Sequence, residues 1–161
     1  PLMVAMIATG RAGSSFAAEI GSMKAEEELS ALSTMGIKPE AFLILPKMVA
    51  MLVALPVLTV FGDFAGLMGG LIVGITYLDI PASAYWARSI AVLTPMTLVM
   101  GALKSFVYAF LITLAGCRAG FMADPDAQGV GRGATSAVVD SIFLVVIANA
   151  VLTILYSFIG Y

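Results

Sequence analysis

The sequence predicts an all-α fold, a polytopic membrane helix bundle with one short amphipathic helix outside the bilayer. Three observations predict it. Apolar residues make up 61% of the chain and charged residues 11%, against about 45–50% and about 25% in soluble domains. The mean hydropathy is +1.05. The 8 basic and 10 acidic side chains in 161 residues are too few to clothe a soluble core of this composition. A net charge of −2, with no clustered Lys and Arg, argues against a nucleic-acid surface. With a single cysteine, Cys117, and no histidine, neither an intrachain disulfide nor a common zinc constellation can be built.

The opening PLMVAMIA has no basic leader segment and no cleavage pattern, and reads as the tail of a span that begins before residue 1, in a fragment with an intact C-terminus. A bilayer core of about 30 Å takes roughly 20 helical residues to cross. Three membrane regions follow, at 41–78, 90–116 and 134–161, separated by polar loops at Gly10 to Glu40, Asp79 to Arg88 and Cys117 to Gly133.

The first region is long for one simple crossing. Pro46 and Pro56 each remove a backbone donor, and Gly62, Asp63 and Phe64 form a plausible break. Gly62, Gly66, Gly70 and Gly74 then recur every four residues, which on a helix makes one ridge where another backbone can approach. Whether Gly62 to Leu78 re-enters the membrane or continues its span is open.

Basic residues set the orientation. Arg11, Lys24, Lys38 and Lys47 sit in or beside the first loop and Arg118 and Arg132 in the third, with only Arg88 near the second, so the first and third loops face the cytoplasm. An even number of crossings lies between them, and 41–78 therefore counts as one. Tyr77, Tyr85 and Trp86, and then Tyr156, Phe158 and Tyr161, mark the opposite interface.

The stretch GSMKAEEELSALSTMGIKP predicts a helix over 22–36. Ser22 supplies an N-cap, Glu26, Glu27 and Glu28 lie early where the helix dipole favours negative charge, and Gly36 and Pro39 end it. Leu29, Leu32 and Met35, with Ala25, form an apolar stripe. A short helix joined to two spans passes the movement of a partner into the bilayer. Its glutamates orient a basic surface and its stripe supplies burial.

Asp63, Lys104 and Asp140 are the intramembrane polar candidates, because an unpaired charge there is costly. Lys104, in mid-span, has three readings: it meets a lipid phosphate, pairs with Asp63, or snorkels to an interface. Ten methionines and nine phenylalanines suit a cavity for acyl chains and equally an ordinary membrane core.

The run GRAGSSFAAEIGSMKAEEELSALSTMGIKPEAFLILPKMVA, with EE-x-x-AL joined to TMG-x-x-P, strongly resembles the first signature of the MlaE family, permease subunits of ABC transporters that work with MCE-domain proteins in bacterial lipid trafficking. GCRAGFMADPDAQGVGRGATSAVVDSI resembles the second. Ser30 departs from the Asp that the family often carries.

The resemblance implies a subunit with no catalytic residues and no cofactor of its own, and a homodimer in the inner membrane. It also implies a cytoplasmic ATPase partner, a periplasmic MCE-domain protein and a lipid substrate of the phospholipid class. Glu26, Glu27, Glu28, Leu29, Leu32 and Met35 would form the ATPase-coupling helix, Gly129, Gly131 and Arg132 would lie in the second cytoplasmic loop, and Glu19 would lie near the membrane boundary. GVGRG lacks the Lys-Ser/Thr ending of a phosphate loop and precedes a span rather than following a strand, so it binds no nucleotide. The rival reading is an ion- or proton-coupled secondary transporter with Asp63, Lys104 and Asp140 as its relay. A third is a structural scaffold held by the glycine ridge.

Overall fold

The computed structural model describes residues 1–158, and every regular element in it is helical. The chain begins with α1 (Leu2–Ala8), passes through a π turn (Thr9–Gly13) into α2 (Ser14–Ala25), and continues with α3 (Glu28–Thr34), α4 (Pro39–Tyr77), α5 (Ala82–Val92), α6 (Pro95–Met122) and α7 (Ala127–Phe158). α4, α6 and α7 are each long and apolar enough to cross a membrane. The helical path from Leu2 to Ala25 is unbroken and about 36 Å long. It packs with these three as a fourth rod.

Small residues let the rods approach. A Cβ on Gly116 would stand 2.8 Å from the Gly13 carbonyl oxygen, and one on Gly120 would stand 2.9 Å from that of Ala17. Gly13 and Ala17 on one rod thus meet Gly116 and Gly120 on α6, Gly21 meets Ala123 and Val130, and Gly133 of α7 closes against Ala119 and Ala123. This is small-xxx-small packing. The larger core sits beyond it, where Ala5, Met51, Leu55, Tyr108, Ala109, Ile112 and Val145 are buried together. The Tyr108 hydroxyl donates to Asn149 Oδ1 at 2.8 Å, so burial of the ring leaves no unpaired phenol.

The expected loops are shorter than the polarity of their residues implied. Gly10 to Ala25 is helical, so the first connection opens only at Glu26, and Arg11 lies on the π turn within a rod instead of in a loop. The connection expected at Cys117 to Gly133 shrinks to Ala123–Asp126, because α6 runs to Met122 and α7 starts at Ala127. Asp126 Oδ1 accepts the Gly129 N–H at 2.7 Å, capping the start of α7. Gly129, Gly131 and Arg132 therefore occupy the first turns of a helix, a correction to their expected place in a loop.

The membrane region expected at 90–116 is also redrawn. Ile90 belongs to α5, which covers most of the supposed loop Asp79 to Arg88, and the chain breaks at Leu93 and Thr94. The Thr94 side chain accepts the Thr97 N–H at 3.3 Å, and Pro95 takes the first helical position, an ordinary helix start. The region expected at 134–161 begins earlier, at Ala127, while Tyr161 lies outside the described residues.

α4 is one helix throughout. The break expected at Gly62, Asp63 and Phe64 does not occur, and Gly62 to Tyr77 continues the span without re-entry. Gly62 is backed by the Val4 side chain, Gly70 and Gly74 by the Tyr85 ring, and Gly66 faces open space. Instead of receiving another backbone, the ridge receives side chains. Tyr85 fixes α5 along it, its hydroxyl donating to the Leu67 carbonyl at 3.0 Å.

Candidate functional site

The helix expected at 22–36 is two pieces. The Glu26 N–H donates to the Ser22 carbonyl at 3.0 Å, so Ser22 is an interior residue of α2 and not a cap. Glu27 adopts φ 60, a left-handed conformation that an L side chain takes at a cost and that ends the run of i to i+4 bonds. α3 then carries Glu28 in its first turn, where the dipole favours it. Gly36, at φ +76, makes the stop with the left-handed backbone that glycine adopts freely, and Pro39 opens α4.

Leu29 packs against the cluster of Ile20, Leu43 and Cys117, which seats α3 on the bundle. Leu32 is half-buried, whereas Met35 is 66% exposed and Glu26, Glu27 and Glu28 are all exposed. The stripe is thus divided. Its first residue holds the helix, and its last lies bare next to the acidic turn.

Two contacts tie this end of the molecule together. Lys24 Nζ donates to the carbonyls of Phe121 at 2.8 Å and Ala123 at 2.7 Å, capping the end of α6 with a cation, which the dipole there favours. Lys47 Nζ lies 2.8 Å from Glu19 Oε1 and 5.7 Å from the centre of the Phe16 ring, joining α4 to α2. α3 and the turn Ala123–Asp126 therefore share one end of the bundle. Arg132 of α7 pairs with Asp124 at 3.0 Å, an exposed link to that turn that contributes little energy.

The opposite half contains a cavity of about 840 Å³ whose lining includes Asp63, Gly66, Thr97, Lys104 and Tyr156 among mostly apolar side chains. Lys104 Nζ donates to Thr153 Oγ1 at 3.0 Å and lies 5.3 Å from the centre of the Tyr156 ring. Asp63 shares the cavity, and no ion pair joins it to Lys104 among the described residues. Asp140 is elsewhere, facing a groove between α6 and α7 at the α3 end. The three expected members of a relay are therefore not brought together. The described residues place no group of three His, Cys, Asp or Glu side chains to hold a metal.

The small residues of α2, α6 and α7 are what reading the sequence missed. Gly13-xxx-Ala17-xxx-Gly21, Gly116-xxx-Gly120 and Gly129-xxx-Gly133-xxx-Ala137 were visible as the same four-residue spacing. All but Gly116 and Ala137 lay in stretches taken for loops.

These parts define a class: a polytopic α-helical membrane protein with a charged helix at one end and an amphipathic cavity in the other half. The chain belongs to the MlaE family of ABC transporter permeases, and residues 1–155 match the family described as Permease MlaE. A probable ABC transporter permease protein of Rickettsia prowazekii is 38% identical over 156 residues, covering 97% of this chain and 60% of the relative. A probable ABC transporter permease protein of Synechocystis is 35% identical over 150 residues, or 92% of this chain and 57% of that one. The chloroplast protein of Arabidopsis thaliana named trigalactosyldiacylglycerol 1 is 32% identical over 153 residues, 95% of this chain and 44% of the relative. The chain thus spans 60% or less of the length of these relatives.

Proposed function

We propose that the chain is the membrane part of an ATP-driven lipid transporter in a bacterial inner membrane, working as a homodimer with a cytoplasmic ATPase and a periplasmic MCE-domain carrier. The observation that carries the reading is the placing of α3. It is an acidic helix seated by Leu29 on the bundle and followed at once by α4, whose far half lines the cavity with Asp63 and Gly66. The ATPase docks on Glu26, Glu27, Glu28, Leu32 and Met35, and its nucleotide-dependent motion passes through α3 into α4. The cavity then alternates between taking up and releasing a phospholipid-class molecule. Lys104 meets the lipid phosphate, and the apolar lining meets the acyl chains. The glycerolipid in the name of the plant relative supports a lipid cargo.

The test is charge reversal of Glu26, Glu27 and Glu28 to lysine in the full-length permease, reconstituted with its ATPase and carrier. The expected result is loss of ATPase association and of ATP-driven lipid transfer with the permease still folded. Full transfer by the triple variant would overturn the docking role, and transfer without any ATPase would overturn the class of mechanism.

A further inference from the structure

α6 and α7 leave a groove on the flank of the bundle at the α3 end. Arg118, Ser136 and Asp140 lie in its polar section, a cavity of about 260 Å³. Arg118 and Asp140 also border an adjoining section of about 580 Å³, lined by Leu111, Leu114, Phe143 and Leu144. Both charged residues are exposed, and neither has an ion pair or a side-chain hydrogen bond among the described residues. Lys24, Lys47 and Arg132, by contrast, already have carbonyl or carboxylate partners.

Height along the bundle gives the groove its meaning. Cys117 packs with Ile20 and Leu43, so Arg118 stands level with Glu19 and its partner Lys47, in the charged layer on the α3 side. Leu114 and Leu111 lie about one and two turns deeper along α6, and Phe143 and Leu144 about one turn deeper along α7. The groove is therefore polar at the boundary and apolar inward, as a membrane lipid is.

The charges select the headgroup. A purely anionic headgroup would satisfy Arg118 and be repelled by Asp140. A quaternary ammonium has no N–H for the carboxylate to accept, whereas a phosphate beside a primary ammonium offers each residue a charge-assisted hydrogen bond. Basic pockets between spans on this side of a membrane bind lipid headgroups, and here the added carboxylate narrows the choice. We propose that the groove holds one zwitterionic phospholipid with a primary ammonium, its phosphate on Arg118, its ammonium on Asp140 and an acyl chain along Leu111, Leu114 and Phe143. This site is separate from the Lys104 cavity and does not depend on lipid being the transported cargo.

The test is native mass spectrometry of the full-length permease complex, drawn from nanodiscs holding equal amounts of phosphatidylethanolamine, phosphatidylcholine and phosphatidylglycerol. The wild type is expected to retain phosphatidylethanolamine about tenfold over the other two, a modest return for paired charge-assisted contacts. Arg118→Gln abolishes the retention, Asp140→Asn shifts it toward phosphatidylglycerol, and Arg88→Gln, a charge removed from the exposed surface of α5, leaves it unchanged. Equal retention of the three lipids by the wild type overturns the proposal, as does indifference to both groove substitutions or loss of retention in Arg88→Gln. If Arg118→Gln does not assemble, Arg118→Lys keeps the charge without the fork and is expected to weaken retention several-fold, while the Asp140→Asn preference still decides the matter.

Discussion

The ammonium of Lys24 donates to the main-chain oxygen of Ala123 at 2.7 Å, across a gap of 99 residues in sequence, and also to that of Phe121 at the end of α6. One side chain at the foot of α2 therefore closes a different helix. Lys24→Ala is expected to lower stability by about 1.5–3 kcal/mol, the worth of hydrogen bonds to a charged donor. Lys24→Met keeps the aliphatic stem and should lose nearly as much. Thermal unfolding of the full-length permease in detergent checks this, and an unshifted midpoint for both variants would refute it.

Glycine positions of the same type are expected to differ sharply in tolerance. Gly116→Ala sets a methyl 2.8 Å from a backbone oxygen that cannot move aside cheaply, and the overpacking is expected to cost about 1–3 kcal/mol. Gly66 has nothing within 4 Å, and Gly66→Ala in mid-helix is expected to be neutral or to stabilise by about 0.4–1 kcal/mol. Equal melting shifts for the pair would contradict the close approach of α2 and α6.

Ser141 is fully buried, and its hydroxyl has no hydrogen-bond partner. A buried unpaired hydroxyl carries a penalty of about 1–3 kcal/mol. Ser141→Ala removes the penalty and most of the volume stays filled, so the variant is expected to be at least as stable as the parent. A loss above about 1 kcal/mol would mean that the hydroxyl is satisfied after all.

Lys104→Met retains the stem against Tyr156 and removes the charge. Under the proposed function it is expected to cut ATP-driven lipid transfer about ten- to a hundredfold, equivalent to about 1.5–3 kcal/mol. Its melting point should change little. A full transfer rate in a reconstituted assay would remove Lys104 from the lipid's path.

The membrane class was legible because composition alone excludes a soluble shell, and long apolar runs located α4, α6 and α7 in outline. Their ends were misplaced where polar residues are helical. Arg11 and Arg132 read as loop residues, but each sits on a helix, and Lys24, expected on the short helix outside the bilayer, belongs to α2. The start signals at Thr94-Pro95 and Asp126 were available as cap chemistry, yet hydropathy outweighed them. The break between α2 and α3 was not legible, since it rests on Glu27 adopting a conformation that its side chain does not favour. Asp63 and Lys104 were picked out singly by the cost of intramembrane charge. Their common cavity depends on how α4 passes α6, which no local pattern encodes.

α4 runs from Pro39 to Tyr77 without interruption, about 58 Å at 1.5 Å per residue, nearly twice the thickness of the hydrocarbon it crosses. A stiff beam of that length magnifies a small tilt at its base: swung through about 5°, it carries its tip sideways by about 5 Å. A nudge of atomic size where Pro39 leaves α3 would thus reach the far rim as a displacement as wide as an acyl chain, with no need for the helix to bend.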